Sequence, residues 1–253
     1  YEQYGGRPVE MVQRLPGNNF QRLNVIAATP EGLVVNYPDI QGTVTLPVSE
    51  FDNPLTYQSQ LDAEAYSQLI GEDRISEALN LARRDNYPLL KMVPLDPETV
   101  RIHGQVGRFL QELLRRDRVL EVDSILDSFP EERVTGIYEV VALETASLLT
   151  RMGEYQKAYD LVNRFTLGPG QTGNARTYLN LADELRLAES FEMARNLYKD
   201  VQLASSVEEF PEAFLWEAYI HMQEGRPSIA ASVLEDFGEV EKTVWYFPLV
   251  QLV

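Results

Sequence analysis

The chain has 253 residues, of which 44% are hydrophobic and 24% are charged, and no apolar run is long enough to cross a membrane. Its 39 acidic residues outnumber 22 basic ones, and the formal net charge of −17 excludes nucleic acid and anionic lipid surfaces as partners. The absence of cysteine excludes disulfides, thiolate metal sites and a cysteine nucleophile. A basic protein or peptide fits the charge best, although an acidic surface also serves solubility alone.

The segment 1–55 predicts an irregular head followed by a small β-rich module. Residues 1–19 show no hydrophobic period. Runs rich in Val, Ile, Thr and Leu then occupy 23–28, 33–35 and 43–46, separated by turn segments that contain Pro and Gly. This pattern predicts a three-stranded antiparallel meander. Because three strands alone are marginally stable, we expect the sheet to pack against the first helices.

From residue 56 to residue 253 the hydrophobic period is helical. In one clear example, apolar side chains recur at intervals of three and four residues between Val106 and Leu114, so they share one helix face. The same period predicts helices over 61–70, 103–116, 140–152, 155–165, 178–188, 191–201, 213–222 and 229–237. The predicted fold class is mostly α: an α-solenoid of four or five antiparallel helix pairs, preceded by a small antiparallel β-meander.

The predicted second helices repeat with a period of 36 residues. A small residue early in each of them is Val122, Ala158, Ala194 and Ala230. Three further registers keep the same spacing: 119, 155, 191 and 227; 126, 162, 198 and 234; and 129, 165, 201 and 237. Ala146, Ala182 and Ala218 recur likewise in the first helices. Four coincident registers indicate an internal repeat whose units stack to bury their apolar faces.

The segment 152–159, Met-Gly-Glu-Tyr-Gln-Lys-Ala-Tyr, resembles the turn and second-helix start of a tetratricopeptide repeat, where Gly-x-Tyr-x-x-Ala is typical. Weaker copies lie at 188–194 and 223–230, and an outlying copy at 73–78 precedes an insertion around 87–97. The resemblance spans about 61–237 and implies a protein-interaction fold of stacked helix pairs. The chain departs from that family in its period, which is 36 rather than about 34, and in lacking the family's Trp and Tyr signature in the first helices.

The β-rich module resembles small SH3-like modules near the N-termini of some bacterial envelope proteins, through residues 29–35 and 42–47. This resemblance implies an exported protein, periplasmic or secreted, with the cytoplasm as the alternative. The sequence begins at Tyr1 rather than at methionine, which a removed leader or a shortened chain would both explain.

The sequence offers little for catalysis, a metal or a cofactor, and none of the three is predicted. His103 and His221 have no ligand at metal-binding spacing, and His221 is interpreted as a groove or packing residue. Gly168 and Gly173 have the spacing of a phosphate loop, but the Lys and Ser/Thr that must follow are absent. We interpret this stretch as a connector in which Asn174 caps the next helix. The chain is therefore predicted not to be an enzyme.

Repeat register places polar and aromatic residues on the concave inner face formed by the first helices. They are Arg108, Gln111, Arg115, Glu144, Ser147, Arg151, Asn180, Asp183, Arg186, Trp216 and Tyr219. Arginine forks and aromatic rings suit the capture of an extended or helical peptide. The alternative is that the arginines pair with neighbouring carboxylates and the aromatics belong to the core. Leu143, Leu179 and Leu215 occupy positions where repeats that clamp chaperone tails carry Lys and Asn, which disfavours that partner.

The leading functional hypothesis is a non-enzymatic scaffold or adaptor that binds a protein or peptide through this face. A self-associating structural envelope protein is the alternative, because residues 244–253 are strongly apolar. That segment either caps the last helix pair, which we favour, or begins a further repeat. A carbohydrate-binding or carbohydrate-processing protein that uses Trp216 and Tyr219 is the least favoured hypothesis.

Overall fold

The computed structural model describes residues 5–15, 17, 19–29, 32–37, 41–50, 53–131, 135–164 and 172–235. By its internal contacts the chain divides into two compact units, Tyr1–Ala142 and Leu143–Val253. The predicted boundary after residue 55 stays a prediction. Across the described ranges, each helix is too short or too polar to span a membrane.

A mixed sheet of six strands, counted over the described residues, opens the first unit. Its strands are β1 (Val9–Leu15), β2 (Asn19–Thr29), β3 (Gly32–Asn36), β4 (Val44–Leu46), β5 (Leu55–Tyr57) and β6 (Val100–Arg101). Their order in the sheet is β4-β3-β2-β1-β5-β6, with β5 and β6 parallel and the other neighbours antiparallel. The predicted β-meander is therefore present as β2, β3 and β4, but it is half of a larger sheet.

The prediction of an irregular head was wrong, because the strand β1 lies inside residues 1–19. Val9 and Met11 are buried, and Met11 lies opposite Leu23 of β2. The strand pairs with β2 on one side and with β5 on the other. Because these pairings stabilise it, its own short sequence does not need a strong preference for β structure. At the start of β3 the backbone passes so close to β4 that a Cβ on Gly32 would lie 2.0 Å from the carbonyl oxygen of Leu46.

Ten helices in five pairs follow within the described part of the chain. They are α1 (Ala63–Gly71), α2 (Ile75–Asn86), α3 (His103–Arg115), α4 (Val119–Asp127), α5 (Ile137–Arg151), α6 (Tyr155–Val162), α7 (Thr172–Leu187), α8 (Phe191–Ala204), α9 (Pro211–Gln223) and α10 (Pro227–Leu234). The predicted fold class, mostly α with antiparallel helix pairs behind a small sheet, is confirmed. The predicted insertion around 87–97 contains a 3₁₀ helix, Tyr87–Met92, and the edge strand β6 lies between this insertion and α3.

Asn174 does not cap α7, contrary to the sequence prediction. The helix begins earlier, at Thr172, which places Asn174 in its first turn. Ala175 in that same turn is fully buried, so the helix gains packing by extending past the predicted start.

The 36-residue repeat is visible in where the second helices begin and in what they bury. The helices α4, α6, α8 and α10 start at Val119, Tyr155, Phe191 and Pro227. The small-residue site is fully buried in all four, at Val122, Ala158, Ala194 and Ala230. Its first-helix counterparts Ala146, Ala182 and Ala218 are buried too. Phe165 and Phe237 of the fourth register lie outside the described residues, and Leu234 is only partly buried. Small buried residues let the two helices of a pair pack closely.

The turn between the helices of each pair is a Schellman motif that repeats in step with the sequence. The residue two before the second helix has a positive φ in every pair: Asp73, Asp117, Gly153, Glu189 and Gly225, with φ between 57° and 82°. The next backbone N–H donates to a carbonyl five residues earlier, as from Arg118 to Leu113 and from Ser190 to Leu185. The turn geometry is thus conserved along the chain even where glycine is not the residue that adopts it.

We expect Glu189→Gly to raise the free energy of unfolding by about 0.5–1 kcal/mol, because a non-glycine residue in the left-handed region is strained by about that much. Urea unfolding followed by circular dichroism measures the change. Ser190→Gly is the matched control, because Ser190 has an ordinary φ of −81° and gains nothing from glycine. Equal effects of the two substitutions would show that the positive φ costs nothing here.

Asp85 ties the sheet of the first unit to two helices. Its carboxylate is almost fully buried at the end of α2. It accepts hydrogen bonds from the Tyr57 hydroxyl (2.5 Å), the Ser59 hydroxyl (2.6 Å), the Gln60 backbone N–H (2.8 Å) and the Gln105 amide on α3 (3.0 Å). Burial, reinforced by the hydrogen bond to Asp85, raises the pKa of Tyr57 well above its usual range. One side chain therefore fixes the end of β5 against both α2 and α3.

Lys91 joins the 3₁₀ helix to the sheet and makes the stability of the first unit pH-dependent. Its ammonium donates to the carbonyl oxygens of Arg7 and Ile26, and burial lowers the pKa of Lys91 to about 8. An unfolded lysine keeps its proton up to about pH 10.4, so between about pH 8 and 10.4 the folded state binds fewer protons than the unfolded state. The free energy of unfolding therefore rises with pH across this window.

Between pH 8 and 10.4, we expect the free energy of unfolding of the wild-type protein to rise by about 1 kcal/mol more than that of Lys91→Met. This figure is reduced for the partial exposure of the side chain. Urea unfolding of both proteins across that range measures the difference, in which the other titrating groups cancel. A difference that stays constant with pH would contradict the lowered pKa.

Candidate functional site

The second unit brings together most of the predicted inner-face residues on its first helices. A cleft of about 330 Å³ lies between the end of α5 and the middle of α7. Ser147 and Arg151 line it from α5, and Asn180 and Asp183 line it from α7. Ser147 and Asp183 are 36 residues apart in the sequence, so they occupy the same position of the repeat.

Two polar side chains at this cleft have no partner among the described residues. Arg151 and Asn180 are exposed, and neither makes a side-chain hydrogen bond or an ion pair within the described residues. Arg151 is the last residue of α5. A free guanidinium beside a free amide offers several donors and one acceptor to a peptide backbone or carboxylate.

Arg186 is instead held in a network that fixes an aromatic ring. Its Nε donates to the Tyr198 hydroxyl at 3.2 Å, and its Nη2 lies 3.6 Å from Asp183 Oδ1. The guanidinium carbon lies 3.9 Å from the centroid of the Trp216 ring, a cation–π contact. The Tyr198 hydroxyl donates to Asp183 at 2.6 Å, and burial together with this bond raises the pKa of Tyr198 above its usual range. Asp183 therefore belongs both to this network and to the cleft.

The aromatic pair extends the surface along α9. The rings of Trp216 and Tyr219 meet edge to face with centroids 5.8 Å apart, and Tyr219 remains 37% exposed. Contacts thus run without a break from the cleft through Asp183 and Arg186 to Trp216 and Tyr219. We call the set Ser147, Arg151, Asn180, Asp183, Arg186, Trp216 and Tyr219 the inner-helix surface. Both sequence interpretations apply to parts of it: Arg186 is paired and packed, while Arg151 and Asn180 are free.

The remaining predicted site residues do not line the cleft. Arg108 and Gln111 lie on α3 in the first unit, where Arg108 is exposed and Gln111 half-buried. Arg115 at the end of α3 is 3.6 Å from Glu112, and its side chain is 70% exposed. Glu144 is exposed on α5. The α3 residues belong to the first unit and are separate from the inner-helix surface as defined.

Sequence reasoning missed a buried polar cluster between α8, α9 and α10. Glu217 is only 2% exposed and accepts a hydrogen bond from the Gln202 amide at 2.7 Å. Lys199 Nζ lies 3.6 Å and His221 Nε2 3.5 Å from the same carboxylate. The signal was a lone glutamate inside the apolar run of α9, which in a buried helix requires polar partners. His221 is a packing residue of this cluster, in line with the sequence interpretation.

His103 is a structural residue of the first unit. Its Nε2 donates to the Leu95 carbonyl at 3.1 Å, and its Nδ1 lies 3.0 Å from the Tyr138 hydroxyl. Because a carbonyl only accepts, the neutral ring carries its proton on Nε2, and Nδ1 accepts from Tyr138. Burial raises the pKa of Tyr138, so its hydroxyl keeps its proton. No group of three or more His, Asp or Glu side chains suited to a metal ion occurs among the described residues.

Comparison with known proteins gives distant structural likenesses. No family model matches the chain, and no curated protein matches it. A structure of MamA from residue 41 to its end, from Desulfovibrio magneticus RS-1, is 11% identical, covers 68% of this chain and 88% of its own, and has a TM-score of 0.33. Two other MamA structures are 12% identical, cover 68% and 72% of this chain and 91% and 95% of their own, and have TM-scores of 0.35 and 0.34. At this distance the likenesses do not indicate what the chain binds.

Proposed function

We propose that the chain is a non-enzymatic scaffold or adaptor that holds a protein or peptide partner on the inner-helix surface of its second unit. The observation that supports the proposal is that this surface combines side chains fixed by contacts with side chains that have no partner among the described residues. Arg186 holds Trp216 in place, so an aromatic anchor is ordered before any partner arrives and little side-chain entropy is lost on binding. Arg151 and Asn180 supply unused hydrogen-bonding groups at the cleft, which Asp183 also lines.

The chemistry of the surface favours a partner with both basic and apolar side chains. Asp183 and Glu184 line the cleft, and the whole chain carries a net charge of −17, which attracts basic segments. The exposed edge of Tyr219 offers apolar contact, and aromatic and arginine side chains dominate the energetics of many protein interfaces. The fork of Arg151 would bind a carboxylate or carbonyl oxygen of the same partner.

Self-association and carbohydrate binding are the two alternative functions. Self-association through residues 244–253 is one, and that segment lies outside the described residues. Carbohydrate binding on Trp216 is the other, and it is less favoured because Arg186 already covers one face of the ring. Concentration-dependent mass would support self-association, and quenching of tryptophan fluorescence by glycans would support sugar binding.

We further propose that the protein is exported in a bacterium and works in the periplasm or outside the cell. The support for this is the resemblance of residues 29–35 and 42–47 to envelope β-modules. Subcellular fractionation of the tagged protein tests it, and recovery in the cytoplasm would favour the alternative location.

The test of the binding proposal uses the full chain to capture partners from an extract of the source organism, followed by calorimetry with the purified partner. We expect Arg151→Gln/Asn180→Ala to raise the Kd at least about tenfold, because it removes the free donors at the cleft. Both side chains are exposed and unpaired, so the fold should be unchanged by circular dichroism.

The matched control is Arg226→Gln/Gln156→Ala, which removes an exposed guanidinium at the start of α10 and an exposed amide on α6, both on second helices and outside the inner-helix surface. We expect this control to leave the Kd within about twofold of wild type. If the two double variants weaken binding equally, or if only copies of the chain are captured, the inner-helix surface is not the binding site.

A further inference from the structure

A second polar surface lies on one face of the sheet in the first unit. Side chains alternate along a strand, and Met11 and Leu23, which are cross-strand partners, are fully buried on one face. Their neighbours Val12 and Arg22 are also partners and lie on the opposite face. Thr56 of β5 continues the same row on the other side of Val12. The sheet therefore packs one face into the unit and leaves the other partly open.

Three arginines and one phenylalanine converge on this open face. Arg101 of β6 pairs with Thr56, which places it at the end of the row that begins at Arg22. Arg14 lies opposite Phe20 one step further along β1 and β2, and Phe20 is 65% exposed. All four line a shallow cleft of about 490 Å³, together with Val12 and Thr56. We call these six residues the arginine face.

Within the described residues, the positive charges of Arg22 and Arg101 on the arginine face are little neutralised. No acidic side chain is among the described residues that line the cleft. Arg22 is 3.4 Å from Glu10, but the two side chains are 69% and 41% exposed, and such a pair contributes little. Arg101 makes no hydrogen bond or ion pair within the described ranges. A chain with a net charge of −17 thus has a cluster of three guanidinium groups on one face of its sheet.

We propose that the arginine face binds a short acidic peptide segment of a partner protein. Guanidinium forks bind carboxylates in bidentate geometry, and the exposed ring of Phe20 would pack against an apolar or aromatic side chain of the same segment. A short segment fits because the acidic remainder of the chain repels a long polyanion such as nucleic acid. A second copy of the chain is disfavoured for the same reason, since two bodies of net charge −17 repel each other. This surface is independent of the inner-helix surface.

Fluorescence anisotropy with the full chain and a labelled peptide of alternating glutamate and tyrosine tests the proposal. We expect the peptide to bind at low ionic strength, and Arg22→Glu/Arg101→Glu to weaken it at least about tenfold. A peptide with glutamine in place of glutamate should not bind. The matched control is Arg84→Glu/Arg118→Glu, which makes the same charge change at exposed arginines of the helices in the first unit and should change the affinity less than about twofold.

Several results would overturn the proposal. One is that the acidic peptide fails to bind, or that the two double variants weaken its binding equally. Another is that an oligothymidine binds more tightly than the peptide. A third is that sedimentation shows a dimer of the chain that Arg22→Glu/Arg101→Glu converts to a monomer. If that variant fails to fold, Phe20→Ala/Arg101→Gln serves in its place, because both side chains are on the open face and neither has a hydrogen bond among the described residues. Retention of full peptide affinity by this milder variant would equally reject the arginine face.

Discussion

Replacing Asp85 by alanine is expected to destabilise the first unit by about 3 kcal/mol or more. The carboxylate accepts four hydrogen bonds while almost fully buried. Its removal leaves the donors of Ser59, Gln60 and Gln105 without this acceptor, and leaves the Tyr57 hydroxyl with only its longer bond, 3.3 Å, to the backbone carbonyl of residue 85. A hydrogen bond to a charged acceptor contributes on the order of 1.5 kcal/mol or more, so the loss of several gives a total of this size although Ser59 and Gln60 are themselves exposed. Hydrogen exchange measured by mass spectrometry should therefore show faster exchange in β5, α2 and α3.

The part of the chain that loses stability distinguishes loss of the Asp85 hydrogen bonds from a general destabilisation of the protein. Both tryptophans, Trp216 and Trp245, lie in the second unit, so their fluorescence during urea unfolding reports that unit. We expect Asp85→Ala to change this fluorescence transition less than it changes exchange in the first unit. Asp85→Asn keeps one acceptor oxygen and should give an intermediate loss. A loss below about 1 kcal/mol for the alanine variant would show that water replaces the carboxylate.

The second large effect separates two arginines that the sequence places on the same predicted face. Arg186→Ala is expected to destabilise the second unit by about 2 kcal/mol, because it removes the contacts to Tyr198 and Asp183 and the cation–π contact to Trp216. Arg151→Ala should change the free energy of unfolding by less than about 0.5 kcal/mol and act on partner binding alone. Urea unfolding followed by tryptophan fluorescence measures both.

Arg186→Lys is the control for geometry. It keeps the charge but not the planar fork that reaches Tyr198 and stacks on the indole, so we expect it to recover less than half of the lost stability. Full recovery by lysine would mean that charge alone stabilises the network. A large loss of stability in Arg151→Ala would contradict the assignment of Arg151 as a free side chain.

The helical part of the fold was predictable because each repeat encodes its own turn. The starts of the second helices at Val119, Tyr155, Phe191 and Pro227 follow from the 36-residue register and from the local Schellman hydrogen bonds. Local bonds of this kind leave a pattern in nearby residues. The strand β1 left no such pattern, because its pairing with β2 and β5 depends on residues from other parts of the chain.

Repeat register identified which residues share a helix face but not which of them are already paired. Arg186 and Arg151 occupy comparable positions near the ends of α7 and α5, yet Arg186 meets Asp183 on its own helix and Tyr198 on the next. The hydroxyl of Tyr198 comes from a register that the sequence assigned to packing. The arginine face escaped prediction because β6, which carries Arg101, is a strand of two residues between the predicted insertion and α3 and is too short to show a β pattern.

The most direct test of the scaffold proposal is site-specific photo-crosslinking in an extract of the source organism. A photo-reactive amino acid is placed in turn at Asn180, at Tyr219 and at Leu203, which is 81% exposed on α8 in the same unit. We predict that one partner protein is crosslinked from Asn180 and from Tyr219 but not from Leu203, and that Arg151→Glu abolishes both crosslinks. Crosslinks formed only from Leu203, or only between copies of the chain, would contradict the proposal.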